Sequence, residues 1–533
     1  MSIAEQRRYA HTYSQQAIFD VVEESVGGDS VISSQGTKMN HREFLMRRFA
    51  RLTAFALVSI FAACGQTEKT ATLSADEQFE KLEHEYVVYF FSRFPVVATY
   101  LGGAAFDNTL ANIDGKLRDH SAEALQAEDT KLQDFRQRFS ALDEAKLSAR
   151  RRIDRTVAMA QIDFLLRQHG SRRYQERALD TYVDEPFRGV DWQIQGMTAT
   201  GENTYGNESE WRALTKRVSS IPAYLAVAEK QIAAGAGSGN TPDWRVLMQF
   251  GLKSTLADAE YFATTLPAIA AQDISGPSRE SLLSDVKSGG ENASQAYRHL
   301  RDFIAATFFD DVKKSDVTAL KPAFRADRFA FGDVEYNWAV HNNLRLDKTA
   351  AQLFEESWPI VEISRKSMVD LAAEIATKHH WKSASDKSDV VRVVFDKLSE
   401  DAPKSDDEMI ELYRSTGARL VEYARKTGLF EVPAEYKLDV TITPPPLRSG
   451  IDGAAYYPAP PFKKTGVGRF YVTPTGNDLA QLRQDHNHAA LADLAAHEGF
   501  PGHDWHYKVM SRYAEEISPV RWLTPGAVED SSS

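Results

Sequence analysis

Three shortages bound what this chain of 533 residues can be. It has one cysteine, Cys64, so no intramolecular disulfide is possible and the fold rests on packing. It has no excess of positive charge: 63 basic against 75 acidic residues give a net charge of −12. That balance predicts no polyanion-binding face and excludes nucleic acid as a partner. Its N-terminal apolar run, Leu52 to Ala63, is twelve residues long. A helix needs about 20 to cross a bilayer, so this run predicts a secretory signal and not an anchor helix.

The run follows a basic stretch holding Arg42, Arg47, Arg48 and Arg51, and Cys64 follows it directly. Ala62, Ala63, Cys64 and Gly65 resemble the cleavage box of bacterial lipoproteins, in which the cysteine is lipidated and becomes the mature N-terminus. Phe61 stands where that box usually has leucine. The resemblance implies a lipid anchor at Cys64, a membrane partner through that lipid, and a place in the cell envelope. Gly65 implies the outer membrane, facing the periplasm. The signal is read as residues 39–64, starting at Met39, with 1–38 an N-terminal extension and 65–73 (GQTEKTATL) a polar tether.

With 43% hydrophobic and 26% charged residues the remainder, 74–533, is globular in composition. Ser74 to Glu77 reads as a capping box, and Phe79, Leu82, Tyr86 and Phe90 follow at helical spacing until Pro95. The period returns at Leu132, Phe135, Phe139 and Leu142 and again from Ile153 to Leu166. Further helices are predicted over 209–233, 243–272, 279–310, 347–379, 386–399 and 405–428. From 431 to 475 proline, glycine and tyrosine prohibit long helices and permit short strands such as Arg469 to Thr473. Should that strand lie at an edge, a peptide can add to it.

Residues 477–510 favour helix and carry five of the fourteen histidines. Within them lies HEGFPGH, 497–503. On a helix, two metal-binding imidazoles stand four residues apart, because about 3.6 residues make a turn. Here the histidines are six apart, which separates them on a regular helix. Pro501 forbids regularity: it has no N–H for the carbonyl of His497, and its ring collides with that carbonyl. If two residues loop out at Pro501 and Gly502, His503 returns to the place of an i+4 ligand.

HEGFPGH resembles the HExxPGH motif of the bacterial "domain of unknown function 885" family, which is grouped with zinc-helix metallopeptidases. AAYYPAPPF (454–462), GRFYVTPTG (468–476), the segment 335–357 and the opening helix 79–103 are similar to that family as well. The resemblance covers roughly 75–533. It implies a mainly α fold: a multi-helix body, then a small β and loop region before a kinked metal-binding helix, zinc-metallopeptidase-like. It implies one zinc ion held by His497 and His503, with Glu498 as general base for hydrolysis of a peptide substrate.

The family's third ligand is expected from a later helix with an EGWALY-like segment, which this sequence lacks. Glu529 is the best-placed substitute, ahead of Glu515 and Glu516. Two readings follow: a zinc peptidase for which this sequence is a fragment, or a catalytically inactive envelope lipoprotein acting as a binding scaffold. His486, His488 and His506 read as packed or surface residues, and Tyr456, Tyr457 and Tyr471 as packing aromatics.

Overall fold

In the computed structural model the described residues are 73–197, 206–330, 332–382, 387–449, 451 and 453–523. The expected extension and signal, Cys64, nearly all of the tether, and Glu529 lie outside them. The protein is mainly helical with one small sheet. Among the described residues no helix is long and apolar enough to cross a membrane.

Helix α1 (Ala75–Arg93) begins at the predicted capping box: the Glu77 N–H donates to Ser74 Oγ at 3.2 Å and the Ser74 N–H to Glu77 Oε2 at 2.8 Å. Its stripe Phe79, Leu82, Tyr86 and Phe90 is buried. Pro95 ends α1 by opening α2 (Pro95–Leu101) at the one position where a missing N–H costs nothing. Helices α3 (Ala122–Ala141) and α4 (Ala149–Arg167) close a first core over that stripe with Phe135, Phe139, Ile162 and Leu165. Ile153 departs from expectation: it is exposed, and the buried face of α4 runs instead through Asp154, Ala158 and Gln161.

The second core is larger. Helix α5 (Leu179–Met197) is buried almost all round and packs on α6 (Glu208–Ser238) and on a helical run from Trp244 to Asp273. That run alternates α turns with two π segments, Leu247–Ser254 and Tyr261–Thr265. Helix α7 (Arg279–Phe308) lies against both. Close approach is set by Gly290, where a Cβ would stand 2.2 Å from the Phe262 carbonyl oxygen.

A helical pair, α8 (Asp333–Asn342) and α9 (Ala350–Lys378), precedes α10 (Lys387–Ser399) and α11 (Asp406–Thr427). Then come the three strands β1 (Val440–Ile442), β2 (Ala454–Tyr457) and β3 (Arg469–Val472), in the order β1-β3-β2. β1 runs parallel to β3, and β2 antiparallel to it, with Tyr456 opposite Phe470 and Tyr457 opposite Arg469. The strand predicted from sequence is therefore the central one, and β2 is the edge nearer the histidine motif. Two short helices, α12 (Leu479–Asp485) and α13 (His488–Leu494), lead into a π turn, Ala495–Gly499, and then α14 (His503–Arg512).

Two outcomes test this packing. Gly290→Ala should cost about 1–3 kcal/mol in urea denaturation, since the new methyl meets backbone. Gly237→Ala, where nothing lies within 4 Å, should be neutral or gain up to about 1 kcal/mol. The second concerns Asp258, fully buried between the two π segments, with neither carboxylate oxygen hydrogen bonded. Burial, and then the charge of Asp184, push its carboxyl well above the ordinary range. The unfolded chain then releases this proton at lower pH than the folded one, so wild-type stability falls as pH rises above about 4, by up to about 1.4 kcal/mol per pH unit. Asp258→Asn removes that fall, and its advantage in denaturation should widen from pH 5 to pH 8; a constant difference would contradict it.

Candidate metal centre

The π turn delivers His497 and Glu498, and the chain then leaves the helix. Phe500 is extended, the Phe500–Pro501 bond is cis, and Gly502 caps α14, which starts at His503. The Gly502 N–H donates to the Ala496 carbonyl at 2.9 Å. A Cβ on Gly502 would lie 1.7 Å from the His497 carbonyl oxygen and 2.4 Å from that of Ala496, so the turn closes only around glycine. The helix is thus broken and restarted, and the two imidazoles meet with ring centroids 4.8 Å apart and planes at 87°.

His497, Glu498 and His503 each offer a ligand atom within 4.8 Å of the other two, and among the described residues this is the one such group. His497 is open to solvent, its side chain 62% exposed, and Glu498 sits beneath at 12%. His497 Nε2 and Glu498 Oε1 are 4.0 Å apart. Burial raises the Glu498 carboxyl above its usual range, opposed by the His497 charge and by a hydrogen bond from the backbone N–H of Tyr456. Burial lowers His503, helped by the charges of His497 and His506. His503 is therefore neutral at pH 7, the state in which an imidazole binds a metal. Two imidazole donors partly open to water, with a carboxylate beside them, suit Zn²⁺ with an open coordination position.

The other candidates are elsewhere. His488 Nδ1 lies 2.8 Å from Asp401 Oδ1 at the surface. His486 is buried with Nδ1 3.0 Å from the Tyr413 hydroxyl. His506, Glu515 and Glu516 are exposed and outside the group. Tyr457 and Tyr471 pack towards α5: the Arg188 Nη1 donates to the Tyr457 hydroxyl at 3.0 Å, and the Tyr471 hydroxyl to Asp191 Oδ2 at 3.0 Å.

Two supporting roles were not assigned from the sequence. Asp504, fully buried in the first turn of α14, accepts from the Tyr436 hydroxyl and from Lys508 Nζ, the latter at 2.8 Å. Trp505 Nε1 donates to the Glu431 carbonyl at 2.9 Å, so the start of α14 is tied to residues 431–436. Nothing local marks a buried carboxylate at 504; only its place in the first helical turn, where the backbone dipole favours an anion, gives a signal. Gln195 of α5 is the second. Its Nε2 donates to the carbonyls of Tyr457, Pro458 and Val467 at 3.0, 3.2 and 2.6 Å, clamping β2 to the approach of β3.

The sequence pattern of the family described as bacterial protein of unknown function (DUF885) matches residues 95–529. The fold is similar to two solved structures. One is a candidate lipoprotein of unknown function from Shewanella oneidensis, at a TM-score of 0.55 and 19% identity, covering 83% of this chain and 73% of that one. The other is a candidate lipoprotein from Colwellia psychrerythraea, at a TM-score of 0.61 and 15% identity, covering 85% and 75%. No curated protein matches the sequence.

Gly502→Ala provides the local test. It should leave the far-ultraviolet circular dichroism unchanged and weaken Zn²⁺ binding, in competition with a chromophoric chelator, by about 10–100-fold. Unaltered affinity would mean that the closeness of the carbonyls at 496 and 497 does not hold the imidazoles together.

Proposed function

Because the chain belongs to the DUF885 family of bacterial proteins, whose function is unknown, we propose one from its own site: a zinc-dependent peptidase of the cell envelope, lipid-anchored at Cys64. The observation that carries the proposal is the meeting of His497, Glu498 and His503 at a turn that Gly502 alone permits. The envelope location rests on the signal-like sequence before Cys64 and on two similar structures that are each described as candidate lipoproteins.

His497 and His503 would hold the ion, which when bound supplies Lewis acidity towards an amide carbonyl and lowers the pKa of water. Glu498 carries the proton. Its carboxylate takes one from the attacking water and returns it to the leaving nitrogen, and its raised pKa brings it nearer to the pH at which both transfers are efficient. Tyr456 of β2 lies beside that carboxylate, and its backbone N–H favours the charged form. The same strand, β2, lies at the sheet edge, so an extended peptide laid along it passes Glu498.

The test is metal content with turnover. Purified protein should carry one zinc per chain, and His497→Ala should lose it. Glu498→Gln should keep the zinc and lose hydrolysis of a mixed peptide library by about 10²-fold or more. Zinc retained without hydrolysis of any peptide by the wild type would favour the scaffold reading, and absence of zinc binding would remove both the metal and the enzyme.

A further inference from the structure

Helix α5 is buried on every side but one. Its three residues that are not buried, Asp184, Arg188 and Trp192, are spaced by four and so form a single stripe. The stripe carries a charge pair: Arg188 Nη2 donates to Asp184 Oδ2 at 3.2 Å, and the two side chains are 27% and 16% accessible. Arg188 Nη1 donates to the Tyr457 hydroxyl at 3.0 Å, and its Cζ lies 5.8 Å from the centre of the Trp192 ring. These bonds use two of the five N–H groups of the guanidinium, which stays open to water.

The stripe is joined to the candidate metal centre by a row of aromatic rings. His503 and Tyr507 share a face of α14, with ring centroids 6.2 Å apart. Burial pushes the Tyr100 phenol up, Tyr507 and Tyr457 add to the rise and Arg188 opposes it, so all three stand near Tyr100. The Tyr100 ring lies 4.4 Å from that of Trp192, and Trp192 6.1 Å from Tyr457. These side chains are half-buried throughout, the exposure of groups that line an opening. Tyr457 follows Tyr456, which lies beside Glu498, and its hydroxyl reaches Arg188. The guanidinium is therefore within about 20 Å of Glu498, a span that an extended peptide of about six residues covers.

The charges favour an anion as the occupant. Arg188 keeps its charge at any physiological pH and has hydrogen-bonding capacity to spare. Its acidic neighbours compete weakly. Burial pushes Asp184 up to about 6 against the pull of Arg188. Burial, and then the charge of Asp184, hold Asp258 well above the ordinary range. Asp191 accepts from the Tyr471 hydroxyl at 3.0 Å and has Arg469 at 4.0 Å, and Asp180 accepts from the Tyr174 hydroxyl at 3.4 Å. A carboxylate set on Arg188 gains charge-assisted hydrogen bonds, whereas an ammonium set on Asp184 would lie beside the guanidinium already paired with it.

We propose that Arg188, walled by Trp192 and Tyr100, is a substrate subsite that takes a carboxylate of a short peptide, either its free C-terminus or an acidic side chain. The inference rests on the peptide reading of the centre and names what that centre prefers. The test is kcat/KM of the full chain for matched peptides: a free C-terminal acid against its amide, with no acidic residue in either, and, among amides, glutamate against glutamine at each position in turn. One of these ratios should be about 10–100-fold, the first marking the chain end and the second a side chain. It should fall to about 1 in Arg188→Gln and be kept in part by Arg188→Lys, which retains the charge without the planar fork. Each ratio is taken within one variant, so a general loss of activity does not imitate the effect, and Arg188→Lys keeps a partner for Asp184 if Arg188→Gln fails to fold. Fluorescence anisotropy of the same peptides on Glu498→Gln separates the subsite from the peptidase reading. Tighter binding of the carboxylate peptide, with no hydrolysis by the wild type, would keep the subsite and remove the peptidase. Hydrolysis with both ratios near 1, ratios unchanged in the Arg188 variants, a preference only for a free ammonium over its acetylated form, or no binding of any peptide would each overturn the subsite, the third in favour of Asp184 as the reader of a cation.

Discussion

The candidate centre depends on an absence of atoms. Between the carbonyls of Ala496 and His497 and the first turn of α14 there is no room for a β-carbon, and Gly502 supplies none. Three things follow from that close approach. The Gly502 N–H can reach the Ala496 carbonyl, the helix restarts immediately at His503, and the second imidazole lands beside the first. A helix carried smoothly through residues 497–503 would put these rings on different faces, and a longer loop would leave His503 without a fixed orientation. The break is short enough to keep register and sharp enough to change it.

A turn this local still needs support, and the support arrives from the helical body through one edge strand. Side chains alternate across β2: Tyr457 faces α5, where Arg188 holds its hydroxyl, while Tyr456 turns the other way and its ring stacks on Tyr507 of α14 with centroids 6.2 Å apart. Between them the backbone N–H of Tyr456 meets Glu498. Gln195 fixes the strand from below by holding three main-chain carbonyls at once, which side-chain contacts with a two-faced ribbon could not do. The body thus sets the height of β2, the strand that lies against the turn carrying Glu498.

Sequence reading reached the elements that have two unlike faces. The stripe of α1 was legible because Phe79, Leu82, Tyr86 and Phe90 alternate with charge, and the boundaries of α6, α7, α10 and α11 followed from caps and breaks. Helix α5 was not legible. It is buried on nearly every side, so Asp180, Glu185, Gln193 and Gln195 point into the protein and erase the polar face on which periodicity depends. Strand order escaped for a different reason, because Arg469 to Val472 alternates like an edge strand but is paired on both sides, and its Arg469 lies 4.0 Å from Asp191 of α5. At the centre, the residue types and the need for a kink were readable from Pro501 and Gly502, whereas Asp504 and Gln195 act through tertiary neighbours more than 60 residues away in sequence.

Burial at the centre acts on His503 and Glu498 in one sense, towards the uncharged forms. For His503 this is favourable to cation binding, since the neutral ring already presents its lone pair. For Glu498 it is unfavourable, since the anion is the form that burial penalises, and the single backbone N–H from Tyr456 offsets only part of the penalty. A divalent ion beside the two imidazoles would offset the remainder, because an opposite charge within a few ångströms stabilises a carboxylate most where water is scarce. The pocket that makes Glu498 a reluctant anion is therefore also what makes a cation there stabilising, so Glu498 and any ion seated by His497 and His503 depend on each other electrostatically even where Glu498 does not bind it.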